Sequence, residues 1–254
     1  MNFKKKLAFL FAFMFALPMA FTQHGDISAE ELIIGDSNIT DTSDFIFNED
    51  TLTITKYIGD DLEVTIPSEI NGKKVRGIGN EAFNGNIYIK RVIIPNTVIS
   101  IEGAMFNLTG NGAFGKCIAL KEVVFEEGSN ISVIGCRAFD SCSSLEKITI
   151  PDSLTTIEKY AFNNCSILKS MTIPKNVTFI GEQSIGYQDG NKIDDFVIYG
   201  ENSSQAEIYA QDNGFYFNDM PVSIKGDLTN DGKVNSADLL KLKKYLLGLI
   251  DTLD

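Results

Sequence analysis

One short apolar phrase, Leu-x-x-apolar-x-apolar-Pro, recurs along this chain, and such a period restricts the possible folds more than any other feature. Ile89 to Pro95 reads IKRVIIP, Leu145 to Pro151 reads LEKITIP, and Leu168 to Pro174 reads LKSMTIP. Leu120 to Phe125, LKEVVF, keeps the form without the proline, and Asp61 to Pro67, DLEVTIP, is a weaker first copy. Each phrase alternates apolar with polar residues, the pattern of a strand with one buried face. Proline at its end stops the strand. The last two phrases start 23 residues apart, the pair before them 25, and the second and third 31. The stretch around Gly103–Gly112 accounts for the excess as an inserted loop of about eight residues.

A second apolar pair follows each phrase: Val75/Ile78, Val98/Ile101, Ile131/Ile134, Leu154/Ile157 and Val177/Ile180. Then comes Ala-Phe, at Ala82-Phe83, Ala113-Phe114, Ala138-Phe139 and Ala161-Phe162. Three of these continue as Ala-Phe-x-x-Cys, ending in Cys117, Cys142 and Cys165. A unit of 23 to 25 residues is too small to bury its own apolar face. Stacked units would align their Leu and Ile positions into a continuous core and their strands into a parallel sheet on one side. The Ala-Phe pair would fill the opposite wall, alanine allowing close approach and phenylalanine filling volume. The three repeated cysteines would then form a buried ladder of small apolar thiols rather than disulfides, with Cys136 outside it.

This pattern resembles the BspA-like leucine-rich-repeat family, with Ile150 to Pro174 as the type unit. The resemblance spans roughly Asp44 to Asp219 and implies a β-rich repeat solenoid built on a leucine-rich-repeat parallel sheet. Residues 44–60, DFIFNEDTLTITKYIGD, read as a β-hairpin cap on the N-terminal edge. The run from Ile198 through Ala210 to Phe215 looks like the C-terminal cap. Caps are expected because open sheet edges recruit other chains. The expected divisions are a signal peptide over 1–25, an N-terminal cap over 26–60, the solenoid over 61–219 and a linker over 220–225.

Residues 226–248, GDLTNDGKVNSADLLKLKKYLLG, differ in composition from everything before them. Gly232 sets the register of a calcium loop, because its sixth position needs a turn that glycine makes easily. Asp227 is then position one, Thr229 three, Asp231 five, Lys233 seven, Asn235 nine and Asp238 twelve. Calcium takes six to eight hard oxygens. Three carboxylates, the Asn235 amide or a water it holds, and the backbone oxygen of Lys233 suit it. Leu239, Leu242, Leu246 and Leu249 follow at helical spacing. The plainer reading is a polar turn with Asp238 capping that helix.

The segment resembles a type I dockerin repeat along its length, which implies an EF-hand-like calcium loop and helix over 226–254. By that resemblance the partner is a cohesin module on a scaffoldin or cell surface. The family's recognition positions fall on Ser236, Ala237, Lys243 and Lys244, with Leu240 and Leu247 beside them. Thr229 stands where the family usually has Asn or Asp, which implies weaker calcium affinity. A dockerin has two such repeats and this chain shows one, so the expectation is a partial dockerin from a longer protein.

Lys4, Lys5 and Lys6 precede an apolar run from Leu7 to Ala20 that is short for a membrane span. It reads as a signal peptide cut near Ala20 or a few residues later, with a retained anchor as the alternative. No other long apolar run follows, so the expected destination is extracellular, either secreted or held at the surface through a scaffoldin. The 22 basic against 34 acidic residues give a net charge of −12, which sets aside nucleic acid and anionic membranes as partners. The single histidine is His24 and there is no tryptophan. Histidine-dependent nucleophilic catalysis therefore lacks its base, and sugar stacking lacks its best platform. The expected function is non-catalytic binding of a protein or glycan by the solenoid in a cellulosome-type assembly. A BspA-like surface adhesin and an accessory component of polysaccharide hydrolysis are the alternatives. Lys90, Arg91, Lys121, Glu122, Glu146, Lys147, Lys169 and Ser170 lie at strand positions open to solvent and form no evident code.

Overall fold

The computed structural model describes residues 40–104, 110–219 and 239–243. The described residues open with a 3-10 turn at Thr42–Asp44 and a hairpin, β1 (Phe45–Asn48) antiparallel to β2 (Thr53–Tyr57). The first coil follows with β3 (Glu63–Thr65), a small hairpin of β4 (Glu69–Ile70) and β5 (Lys73–Lys74), and β6 (Gly77–Ile78). Asn71 and Gly72 turn that hairpin with φ of 53° and 74°, the left-handed pair a two-residue turn needs. The next coils contribute β7 (Arg91–Ile94) and β8 (Ser100–Ile101), then β9 (Glu122–Phe125) and β10 (Val133–Ile134). They continue with β11 (Lys147–Ile148) and β12 (Thr156–Ile157), then β13 (Ser170–Thr172) and β14 (Phe179–Ile180). A short hairpin of β15 (Tyr187–Gln188) and β16 (Asn191–Lys192) leads to β17 (Val197–Gly200), α1 (Gln205–Asn213) and β18 (Tyr216–Asp219).

Every Leu-x-x-apolar phrase forms a strand, and β3, β7, β9 and β11 pair in parallel and in register. The expected parallel sheet on one side is present, and a second, longer sheet that was not expected accompanies it. The apolar pairs that follow each phrase form the order β1-β2-β6-β8-β10-β12-β14, parallel from β2 onward. The first four coils therefore each contribute one strand to each of these two sheets. The hairpin β1–β2 closes the first edge of this long sheet. At the other end β13, β17 and β18 form a terminal sheet, and α1 packs beside it. Gly214, with φ of 66°, ends α1 in the left-handed cap that glycine favours.

The core is a stack of aligned side chains. Phe83, Phe114, Phe139 and Phe162 lie one above another, with ring centroids 4.7, 5.1 and 5.2 Å apart and planes within 15° of parallel. Tyr57 from the hairpin extends the column, 5.3 Å from Phe83. The spacing follows from the separation of neighbouring strands, so each ring meets its copy face to face.

Left-handed backbone at residues other than glycine recurs at two turn positions, both of them in the third and fourth coils and one each in the first and second. Glu81, Arg137 and Tyr160 precede the alanines, and Lys116, Ser141 and Asn164 precede the cysteines, with φ between 59° and 62°. Such backbone costs about 1 kcal/mol per residue. Neighbouring coils hold it in place. The amides of Lys116, Ser141 and Asn164 donate to the carbonyls of Asp140, Asn163 and Tyr187 at 2.7 to 2.9 Å.

The eight-residue insertion of the second coil falls between Glu102 and Ala113. Ala82, Ala138 and Ala161 each donate to a carbonyl three residues back, whereas Ala113 donates to Glu102, eleven residues back. Gly103 lets the next coil approach closely at this point, as Gly135 and Gly181 do in other coils, since a Cβ there would lie 2.1 Å from the amide nitrogen of Cys136.

Candidate functional site

The three repeated cysteines occupy one line through the core. The thiols of Cys117, Cys142 and Cys165 donate to the carbonyl oxygens of Phe83, Phe114 and Phe139 at 3.1, 3.2 and 3.3 Å. Each bond ties a coil to the one before it. All four cysteines are buried free thiols. Burial pushes Cys117 up to about 12, and raises Cys142 and Cys165 well above the ordinary range. These thiols stay protonated near neutral pH, so they are donors in a packed wall and poor nucleophiles or metal ligands. Cys136 lies outside the line, and its amide donates to Glu158 at 2.8 Å.

A buried polar cluster lies beside this wall. Asp140 pairs with Arg137 at 2.7 Å and accepts from the amides of Asn163 and Asn164 at 3.1 and 3.3 Å. The Arg137 guanidinium also lies 4.8 Å from the centre of the Tyr160 ring. Each member belongs to one of two successive coils, so the cluster is a clamp between them.

On the outer face of the β3-β7-β9-β11 sheet, Glu63, Arg91, Glu122 and Lys147 occupy one row in register. Arg91 pairs with Glu122 at 2.8 Å, and Lys121 with Glu146 at 3.0 Å in the row beside it. Much of the charge read as a solvated face thus bridges adjacent coils. Aligning the copies by strand register would have shown the alternation.

Of the calcium and recognition positions, Asp227, Thr229, Asp231, Lys233, Asn235, Ser236, Ala237, Asp238, Lys244 and Leu247 lie outside the described residues. Residues 239–243 are helical, in line with the apolar spacing, and Leu240 and Lys243 are exposed on that turn. Leu239 is exposed as well. Among the described residues no three His, Cys, Asp or Glu side chains group closely enough to hold a metal ion. No helix among them is long and apolar enough to cross a membrane.

The family described as BspA type leucine rich repeat region matches in six copies, over residues 62–111 and 76–207. The dockerin type I domain matches residues 225–253. Among solved structures, a leucine rich cell surface protein from Faecalibacterium prausnitzii is 34% identical with a TM-score of 0.50. The match covers 63% of this chain and 44% of that one, so the chain spans less than half of that relative. The pneumococcal vaccine antigen PcpA is 20% identical over 70% of this chain and 46% of its own, with a TM-score of 0.49. The leucine rich repeat protein of T. pallidum is 21% identical over 71% of this chain and 98% of its own, with a TM-score of 0.40. No curated protein matches the chain.

Proposed function

Because the chain belongs to the BspA-type leucine-rich-repeat family and carries a dockerin type I match, we propose that it is an extracellular, non-catalytic binding protein that docks onto a cohesin module. The observation that supports this most is the agreement of two readings of one segment. The dockerin match covers 225–253, and the register set by Gly232 places oxygen donors at the loop positions of that same stretch.

Asp227, Asp231 and Asp238 would supply carboxylates to calcium, Thr229 a hydroxyl, Asn235 an amide oxygen or a held water, and Lys233 its backbone carbonyl. The donor set suits a hard cation that prefers oxygen. Bound calcium would fold the loop against the helix that includes residues 239–243 and present Ser236, Ala237, Leu240, Lys243, Lys244 and Leu247 together. Cohesin of a scaffoldin is the partner this implies, in a cellulosome-type assembly. The solenoid then carries the second specificity, for a protein or a glycan.

Calorimetric titration of calcium into the full chain tests the loop. The expected result is one site per chain, of micromolar or tighter affinity, abolished by Asp231→Ala with Asp238→Ala. Heats no larger than dilution would remove the calcium step from the proposal.

A second reading, a surface adhesin, is supported by the likeness to a Faecalibacterium prausnitzii protein described as a leucine rich cell surface protein. It predicts binding to cells or matrix that persists after deletion of residues 226–254. Turnover of polysaccharide by the solenoid would instead establish the accessory hydrolase reading.

A further inference from the structure

The third coil breaks the repeat on the charged sheet, and a groove opens where it does. In the second, fourth and fifth coils the phrase ends in Ile-Pro, and the next buried aliphatic residue follows four positions after that Ile. Ile94 leads to Val98, Ile150 to Leu154 and Ile173 to Val177. In the third coil Phe125 replaces the Ile, the proline is absent, and Ile131 follows six positions on. The additional chain turns outward. Ser129 donates to the carbonyl of Glu126 at 3.1 Å, and Gly128 takes a φ of 71°. The turn walls a groove of about 610 Å³ between itself and the fourth coil. In repeat architectures such insertions map to loops on one face, often the binding face.

The floor of this groove departs from its own column. Ile66, Ile94, Ile150 and Ile173 are all buried, while Phe125, paired in register with Ile94, stays only half-buried. Val124 beside it is also half-buried. The rim is unequal in charge. Arg91 and Glu122 neutralise each other at the start of the strands, in one row with Lys147. Glu126, Glu127 and Asp152 stand at the far end, Glu126 accepting from the Asn96 amide at 3.2 Å. An apolar aromatic floor under an acidic rim complements a basic side chain flanked by apolar ones.

We propose that this groove is the solenoid's protein-binding site, and that it takes an extended partner segment carrying Lys or Arg beside large apolar residues. The basic group sits between Glu127 and Asp152, and the apolar side chain rests on Phe125 and Val124. The proposal builds on the reading of the chain as a binding protein and specifies which surface acts and on what.

The test is an amide-shift titration of the isotope-labelled full chain by NMR. The probes are a pool of hexapeptides built from Lys, Arg, Leu, Phe and Tyr, the same pool with Asp and Glu replacing Lys and Arg, and cellohexaose. The basic pool should shift residues 123–129 and 147–153 saturably, and the other two probes should leave them in place. Charge reversal with Glu127→Lys and Asp152→Lys, both exposed, should weaken the basic pool about tenfold or more, with an unchanged melting temperature. Phe125→Ser provides a second variant that removes the floor and keeps the rim. The proposal is overturned if the basic pool moves none of these amides up to about 1 mM, or if cellohexaose moves them and the pool does not. Calcium-dependent cohesin capture by the charge-reversal variant is expected to equal that of the parent, so failure of the groove is separable from failure of the docking reading.

Discussion

The thiol of Cys142 donates a 3.2 Å hydrogen bond to the main-chain carbonyl of Phe114, 28 residues earlier and one coil away. Sulfur fills the wall between the rings and joins the coils at once. Cys142→Ala removes both the packed atom and the bond. It should lower unfolding stability by about 2 kcal/mol, read from urea denaturation. Cys142→Ser keeps a donor of smaller size and should lose less. Equal loss in the two variants would mean that desolvating the serine hydroxyl offsets the hydrogen bond it retains.

The same ladder gives the chain a characteristic weakness to alkali. Folding raises Cys117 from an ordinary value near 9 to about 12, and Cys142 and Cys165 also move upward. The unfolded thiols therefore ionise first. Their contribution is complete below about pH 9 and declines as pH climbs toward 12. Melting temperature should fall more steeply between pH 8 and 11 in the parent than in a Cys117→Ala, Cys142→Ala, Cys165→Ala variant. Parallel pH profiles would remove the thiols from the explanation.

Phe139 stacks between Phe114 and Phe162, at 5.1 and 5.2 Å. Replacing it with alanine opens a cavity in the middle of the column and should cost about 4 kcal/mol. Phe83 closes the column against the hairpin, so Phe83→Ala should also loosen that cap and speed exchange of the β1–β2 amides. Uniform exchange across the solenoid after this change would contradict a column that transmits order from coil to coil.

Lys116 holds left-handed backbone at φ of 60° while its side chain stands in solvent. Lys116→Gly relieves the clash between Cβ and the following carbonyl. After the entropy that glycine adds to the unfolded chain, a net gain of about 0.5 kcal/mol should remain. A loss in urea unfolding would mean that the lysine side chain makes a contact worth more than the strain.

Much of this architecture was legible from the chain alone. The hydrophobic phrases mark β3, β7, β9, β11 and β13 because their residues alternate in and out. The long sheet was not legible, since its members bridge through only two residues each. In Val98-Ile99-Ser100-Ile101 the buried positions stand three apart, and no strand alternation is visible. The left-handed turns were hidden too, because Glu81, Arg137 and Tyr160 share no side-chain chemistry. Coil-to-coil hydrogen bonds impose that backbone, and they exist only after stacking. The ion pair of Arg91 with Glu122 spans 31 residues and emerges only when copies are set in register. The calcium loop is an expectation drawn from the spacing around Gly232, and its ligand positions lie outside the described residues.

The docking reading is tested most directly by capture of the full chain on a panel of immobilised type I cohesins, with calcium and then with excess chelator. The account predicts capture by at least one cohesin in calcium, release on chelation, and no capture of the Asp231→Ala, Asp238→Ala variant. Capture by none of the panel in calcium, or capture indifferent to chelator and to both substitutions, would contradict it.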